Sequence, residues 1–131
     1  MTITMIGAGY VGLVSGACFA DFGHNVICVD LDQAKVAALK SGVMPIYEPG
    51  LEALVSNNVS AGRLSFSTEL PASVANADAV FIAVGTPSRR GDGHADLSYV
   101  YQATRDVAAS ATRPMVIVTK STVPVGTGDE V

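Results

Sequence analysis

The sequence predicts an α/β protein built on a doubly wound parallel sheet. Three observations carry this. Short strand-like segments and longer helical ones alternate from end to end of the 131 residues, the order that builds parallel sheets. One segment, Ala79-Val80-Phe81-Ile82-Ala83-Val84, is apolar at every position, as expected of a strand covered on both faces. A glycine turn, Gly7-Ala8-Gly9-Tyr10-Val11-Gly12, joins the first strand-like run to the next segment. Right-handed crossovers then give the strand order 3-2-1-4-5.

Each element has a local reason. Residues 2–6, with the run Ile3-Thr4-Met5-Ile6, read as the first strand. Residues 10–22 read as a helix whose small residues, Ser15, Gly16, Ala17 and Ala20, allow close approach to a sheet, and Gly23-His24-Asn25 stops it. Residues 26–30 form the second strand. Asp32 can cap a helix through Leu39, ended by Ser41-Gly42. After a loop over 43–50, Pro49 suits an early position of a helix reaching Val55 or Asn57. Residues 63–67 alternate as an edge strand would, and Pro71 fits the first turn of a short helix toward Ala75. Residues 79–84 are the fourth strand, ended by Gly85-Thr86-Pro87. A polar loop follows, then a helix over 97–110 capped by Asp96, the strand 115–118, and the loop 120–127.

The glycine turn carries chemistry because it sits between a strand and a helix. Gly7 lets the chain turn off the strand. Gly9 has no side chain, so a pyrophosphate can approach the backbone. Gly12 lets the helix pack close to the sheet. The free N–H groups and the positive dipole end of the helix then face the phosphates. Asp30 comes 18 residues after Gly12, at the end of the second strand, where it can accept hydrogen bonds from ribose hydroxyls. This is the arrangement of a Rossmann dinucleotide site. A carboxylate there favours NAD over NADP, and Leu31 rather than an arginine follows it. Lys35, one helical turn on, either reaches the ribose and phosphate region or lies on a solvated helix face. Thr86, after the fourth strand, either bonds the cofactor or caps its turn.

Composition narrows the function classes. Net charge is −4 and charged residues are 15% of the chain, with no basic patch able to neutralise a nucleic-acid backbone. Cys18 and Cys28 lie in apolar stretches and read as small buried thiols, without metal-ligand spacing. His94, with Asp92 and Asp96, reads as a polar loop rather than a metal site, and His24 as a turn residue. No basic region precedes the first apolar run and no run approaches a membrane span, so a cytoplasmic protein with no membrane partner is expected.

Five motifs occur in order: Gly7–Gly12, Tyr47-Glu48-Pro49-Gly50-Leu51, Val84-Gly85-Thr86-Pro87, Gly93-His94-Ala95-Asp96-Leu97 and Lys120-Ser121-Thr122-Val123-Pro124-Val125-Gly126-Thr127. Together they resemble the N-terminal NAD-binding domain of the UDP-glucose/GDP-mannose dehydrogenase family, most like its UDP-glucose 6-dehydrogenases. That resemblance implies two successive NAD-dependent oxidations of a sugar C6 alcohol to a carboxylate, through a cysteine thiohemiacetal and a thioester. It also implies backbone contacts from Tyr10 and Val11 to pyrophosphate, and cofactor contacts from Asp30, Lys35 and Thr86. Thr122 matches a threonine near the nicotinamide that positions a catalytic water. The family's nucleophilic cysteine, general-base lysine, most of its sugar-nucleotide contacts, its sixth strand and its dimerising helix match nothing in 1–131. An NAD-binding piece of a homo-oligomeric enzyme is therefore expected, inactive alone, whose parent acts on UDP-glucose. GDP-mannose and UDP-N-acetylhexosamines are the alternative sugars. A stand-alone NAD-sensing module is the alternative class, disfavoured by an unfinished sheet edge.

Overall fold

The computed structural model describes residues 1–44, 48–84, 98–111 and 114–119. Among them the chain runs β1 (Thr2–Ile6), α1 (Tyr10–Asp21), β2 (Asn25–Val29), α2 (Gln33–Lys40), α3 (Leu51–Ser60), β3 (Leu64–Ser67), α4 (Leu70–Val74), β4 (Ala79–Ile82), α5 (Ser98–Ser110) and β5 (Val116–Thr119). The five strands pair in parallel in the order β3-β2-β1-β4-β5, as the crossover rule predicts. No helix among the described residues is long and apolar enough to cross a membrane.

Strand alternation sorts the core into two layers. Ile3, Met5, Val26, Cys28, Leu64 and Phe66 face α1, α2 and α3, where Leu13, Ala17, Val36, Leu39, Leu51 and Val55 meet them. Ile6, Val29, Val80 and Ile82 face α4 and α5, against Leu70, Val74, Val100, Ala103 and Val107. Thr4 is the fully buried polar exception on that second face, and its hydroxyl donates to the Ser73 carbonyl of α4 at 2.6 Å. Phe81 turns to the other layer and meets Phe19 of α1, ring centroids 5.0 Å apart.

Several boundaries differ from the sequence reading, each for a local reason. β2 covers Asn25–Val29, so Asp30 stands just beyond it, its N–H donating to the Ser67 carbonyl at 3.1 Å. β4 stops at Ile82, not Val84, because its partner β1 ends at Ile6, opposite Ile82. Pro49 precedes α3: Gly50, at φ +81°, is the N-cap, a conformation that cannot continue a helix. α3 also runs past Asn57 to Ser60. Asn58, a residue type that favours stops, is fully buried there. It donates to the Leu54 carbonyl at 2.9 Å and to Asp21 at 3.3 Å, and it accepts from Arg63 at 3.1 Å. Its polar groups are satisfied by the surroundings, so they do not compete with the helix.

Candidate functional site

The site forms where β1 and β4 end beside one another. Gly7 adopts φ +105°, and its N–H donates to the Val29 carbonyl at 2.7 Å. A Cβ on Gly7 would sit 2.6 Å from the Ala83 carbonyl oxygen. The first glycine is therefore required twice, by backbone conformation and by the neighbouring strand end. Gly12 is required by the turn itself, because a Cβ there would overlap the Gly7 carbonyl. The close packing of α1 on the sheet, expected of Gly12, belongs also to Gly16, whose added Cβ would lie 2.8 Å from the Cys28 sulfur.

Gly9 differs from both. It is the N-cap of α1 at φ −79°, and nothing lies within 4 Å of where its Cβ would be. No side chain caps the first turn of α1, and no acidic residue stands in it. The contrast with α2 is direct: there Asp32 accepts from the Lys35 N–H at 3.1 Å. The first turn of α1 thus carries no side-chain cap and no acidic residue of its own, the state in which a helix end takes an anion.

Asp30 reaches this turn from β2. Its Oδ2 accepts from the Ala8 N–H at 3.0 Å and lies 3.4 Å from the Lys35 ammonium. Its Oδ1 accepts from the Asp32 N–H at 2.9 Å. A carboxylate offers about four lone-pair positions, so three donors leave room on Oδ1, and the longer Lys35 contact is the easiest to exchange. Sequence spacing located Asp30 but not its bond to the glycine turn, which depends on how β1 and β2 lie side by side.

These residues open on one cleft of about 730 Å³, within the range of small-molecule sites. Gly7, Gly9, Tyr10, Val11, Asp30 and Lys35 all line it, and Gly12 sits behind the turn. Thr86 and Thr122 lie outside the described residues, as does the loop carrying His94. The opposite wall was not read from the sequence. It comes from Leu70 of α4 and from Gln102, Ala103 and Asp106 of α5. Gln102 and Asp106 stand one helical turn apart, and the Gln102 amide donates to the Asp106 carboxylate at 2.8 Å. Leu31, 78% exposed, adds an apolar lip. The helix donors at the glycine turn and the apolar surfaces of Leu31, Leu70 and Ala103 suit a ligand with both anionic and flat ring parts.

Neither cysteine joins the cleft. Cys28 is buried under α1, and burial pushes its thiol up to about 12. Cys18 is half-buried. No cluster of metal-binding side chains occurs among the described residues.

The chain matches, over residues 1–131, the model of the UDP-glucose/GDP-mannose dehydrogenase family, NAD binding domain. It is 70% identical over 131 residues to a UDP-glucose 6-dehydrogenase of Rhizobium meliloti (strain 1021), covering 100% of this chain and 30% of that protein. Among solved structures, a ternary complex of GDP-mannose dehydrogenase from Pseudomonas aeruginosa superposes with a TM-score of 0.94 at 39% identity, over 100% of this chain and 30% of that one. A UDP-glucose dehydrogenase from Pyrobaculum islandicum gives 0.89 at 45% identity, over 96% and 30%. The chain thus spans about 30% of the length of the curated relative.

Proposed function

This chain belongs to the UDP-glucose/GDP-mannose dehydrogenase family as its NAD-binding domain, and from that premise we propose how its cleft holds NAD and what the whole protein does with it. The first-turn N–H groups of α1, at Tyr10 and Val11, take the pyrophosphate oxygens. Gly9 leaves the space for them. Asp30 accepts from the adenosine ribose hydroxyls through the open position on Oδ1 and by exchange with Lys35. Leu31, Leu70 and Ala103 offer the apolar surface that would hold the adenine ring. On the family resemblance, Thr86 is a further cofactor contact, and Thr122 matches the threonine near the nicotinamide that positions a catalytic water. The observation that carries this reading is the first turn of α1, without a side-chain cap or an acidic residue of its own, open at Gly9 and sharing one cleft with Asp30.

Bound NAD supplies the hydride acceptor. The residues of this domain orient it, and neither Cys18 nor Cys28 lines the cleft to act as a nucleophile there. We read the whole protein as oxidising the C6 alcohol of UDP-glucose to the carboxylate. Its nucleophile, sugar-nucleotide site and subunit contacts would lie outside 1–131. UDP-glucose is preferred over GDP-mannose because of the 70% identity to a UDP-glucose 6-dehydrogenase.

Calorimetric titration with NAD, NADP and UDP-glucose tests the assignment. NAD is expected to bind this chain at one site, NADP much more weakly, and UDP-glucose not at all. Absence of NAD binding would overturn the cleft reading. In the whole protein, reduction of two NAD per UDP-glucose is expected, and turnover of GDP-mannose instead would replace the substrate.

A further inference from the structure

A second hollow, of about 520 Å³, adjoins the cleft. Leu31, Leu70 and Asp106 line both, so the two are neighbours across one lip. Past that lip the second hollow is bordered by Glu69 and Ala72 at the start of α4 and by Ala109 in the last turn of α5. Asp30 lines the cleft and not the second hollow. A purine gives these positions a direction. It is bonded to its ribose through N9, and its N6 amino group stands at the opposite end of the ring system. With the ribose at Asp30 and the ring on Leu31, Leu70 and Ala103, the N6 end lies farthest from Asp30. The second hollow begins past Leu31 and Leu70, on that side.

We propose that the second hollow is an annex of the cofactor cleft and receives a substituent carried on N6 of the adenine. The inference rests on the reading that the cleft holds NAD, and it adds a ligand class to that reading: N6-substituted adenine dinucleotides. The lip suits such a ligand. A singly substituted N6 keeps one N–H, and Asp106 can accept it. The Asp106 Oδ1 takes the Gln102 amide at 2.8 Å, which leaves most of the carboxylate's roughly four lone-pair positions. The annex also selects by charge. Glu69 and Asp106 border it, and none of its described lining residues is a lysine or an arginine. A neutral or cationic substituent therefore fits it better than an anionic one.

The test compares NAD with N6-(2-aminoethyl)-NAD by calorimetry, on the chain and on a variant whose annex is filled. Ala109 is exposed and lines the annex but not the cleft, so Ala109→Trp fills the first and spares the second. In the wild-type chain the derivative is expected to bind within about threefold of NAD, because its substituent meets open space. In Ala109→Trp, NAD should keep its affinity while the derivative weakens by at least about tenfold, the lower range of an overpacking cost. The chain has no tryptophan of its own, so the emission of the new indole reports whether it sits in the hollow or in water. If it sits in water, Ala72→Trp fills the annex from the α4 side instead. A derivative that binds equally well with the annex open and filled would overturn the proposal, since its substituent then projects into solvent. Equal losses for NAD and the derivative would overturn the separation of annex from cleft. If the wild-type chain binds neither ligand, the NAD reading fails and this inference with it. If it binds NAD and excludes the derivative, this inference alone fails.

Discussion

Gly9→Val separates folding from binding at a single atom's distance from the cradle. Gly9 sits in extended backbone at φ −79° with nothing within 4 Å of its would-be Cβ, so the branch point of a valine meets no protein atom. The N-cap preference for glycine over valine costs about 0.5–1 kcal/mol. The smaller entropy of the unfolded chain returns about 0.4–1 kcal/mol. The two offset, and Tm should stay within about 4 °C of wild type, given roughly 2–8 °C per kcal/mol for domains bracketing this size. Binding has no such offset. The valine methyl groups fill the space that pyrophosphate oxygens need above the Tyr10 and Val11 amides. Loss of two charge-assisted bonds, each about 1.5–3 kcal/mol, removes at least two decades of NAD affinity. Gly12→Ala is the control, since its Cβ would overlap a backbone carbonyl that cannot swing aside. Overpacking of about 1–3 kcal/mol should then lower Tm and affinity together. Thermal denaturation by circular dichroism and calorimetry read the two quantities independently. Retained NAD affinity in Gly9→Val would refute the cradle, and a Tm drop above about 8 °C would refute the account of its open surroundings.

Two further outcomes test the frame around the site. Cys28 is held protonated by burial, pushed up from 9.0 to about 12. Above pH 9 the unfolded thiol ionises while the folded one does not, so the unfolded state binds fewer protons. Stability should be fully present below pH 9 and decline as pH rises to about 12, by at most about 1.4 kcal/mol per unit. Urea midpoints from pH 8 to 11 should show this slope in wild type and a shallower one in Cys28→Ala; identical slopes would exclude Cys28 as its source. Arg63 donates to the Ala20 carbonyl at 2.9 Å and to the buried Asn58 at 3.1 Å. Arg63→Ala should therefore cost about 1–3 kcal/mol in chemical denaturation. NAD affinity should not change, because Arg63 precedes β3 at the end of the strands away from the cleft; a matching loss of affinity would show that these bonds are coupled to the site.

What the sequence determined was local punctuation and period. Alternation and apolar runs placed five strands, glycine and proline marked their ends, and handedness alone ordered them 3-2-1-4-5. Gly7, Gly9, Gly12 and Asp30 were legible because a turn, a helix start and a strand end each need particular residue types nearby in the chain. The boundaries that moved are those where a distant partner decides. β4 stops at Ile82 because β1 stops opposite it, and α3 passes Asn57 because Asp21 and Arg63 satisfy Asn58 from other elements. The same holds at the site. Gly9 and Gly12 read alike as glycines of one motif but have opposite surroundings, one open and one against a carbonyl. The bond from Ala8 to Asp30 spans 22 residues, and the α4 and α5 wall follows only from which face those helices cover. Sequence determined these residues one at a time, because propensity acts along the chain. Only the tertiary structure decided which donors converge on one carboxylate, because convergence is a property of strands packed side by side.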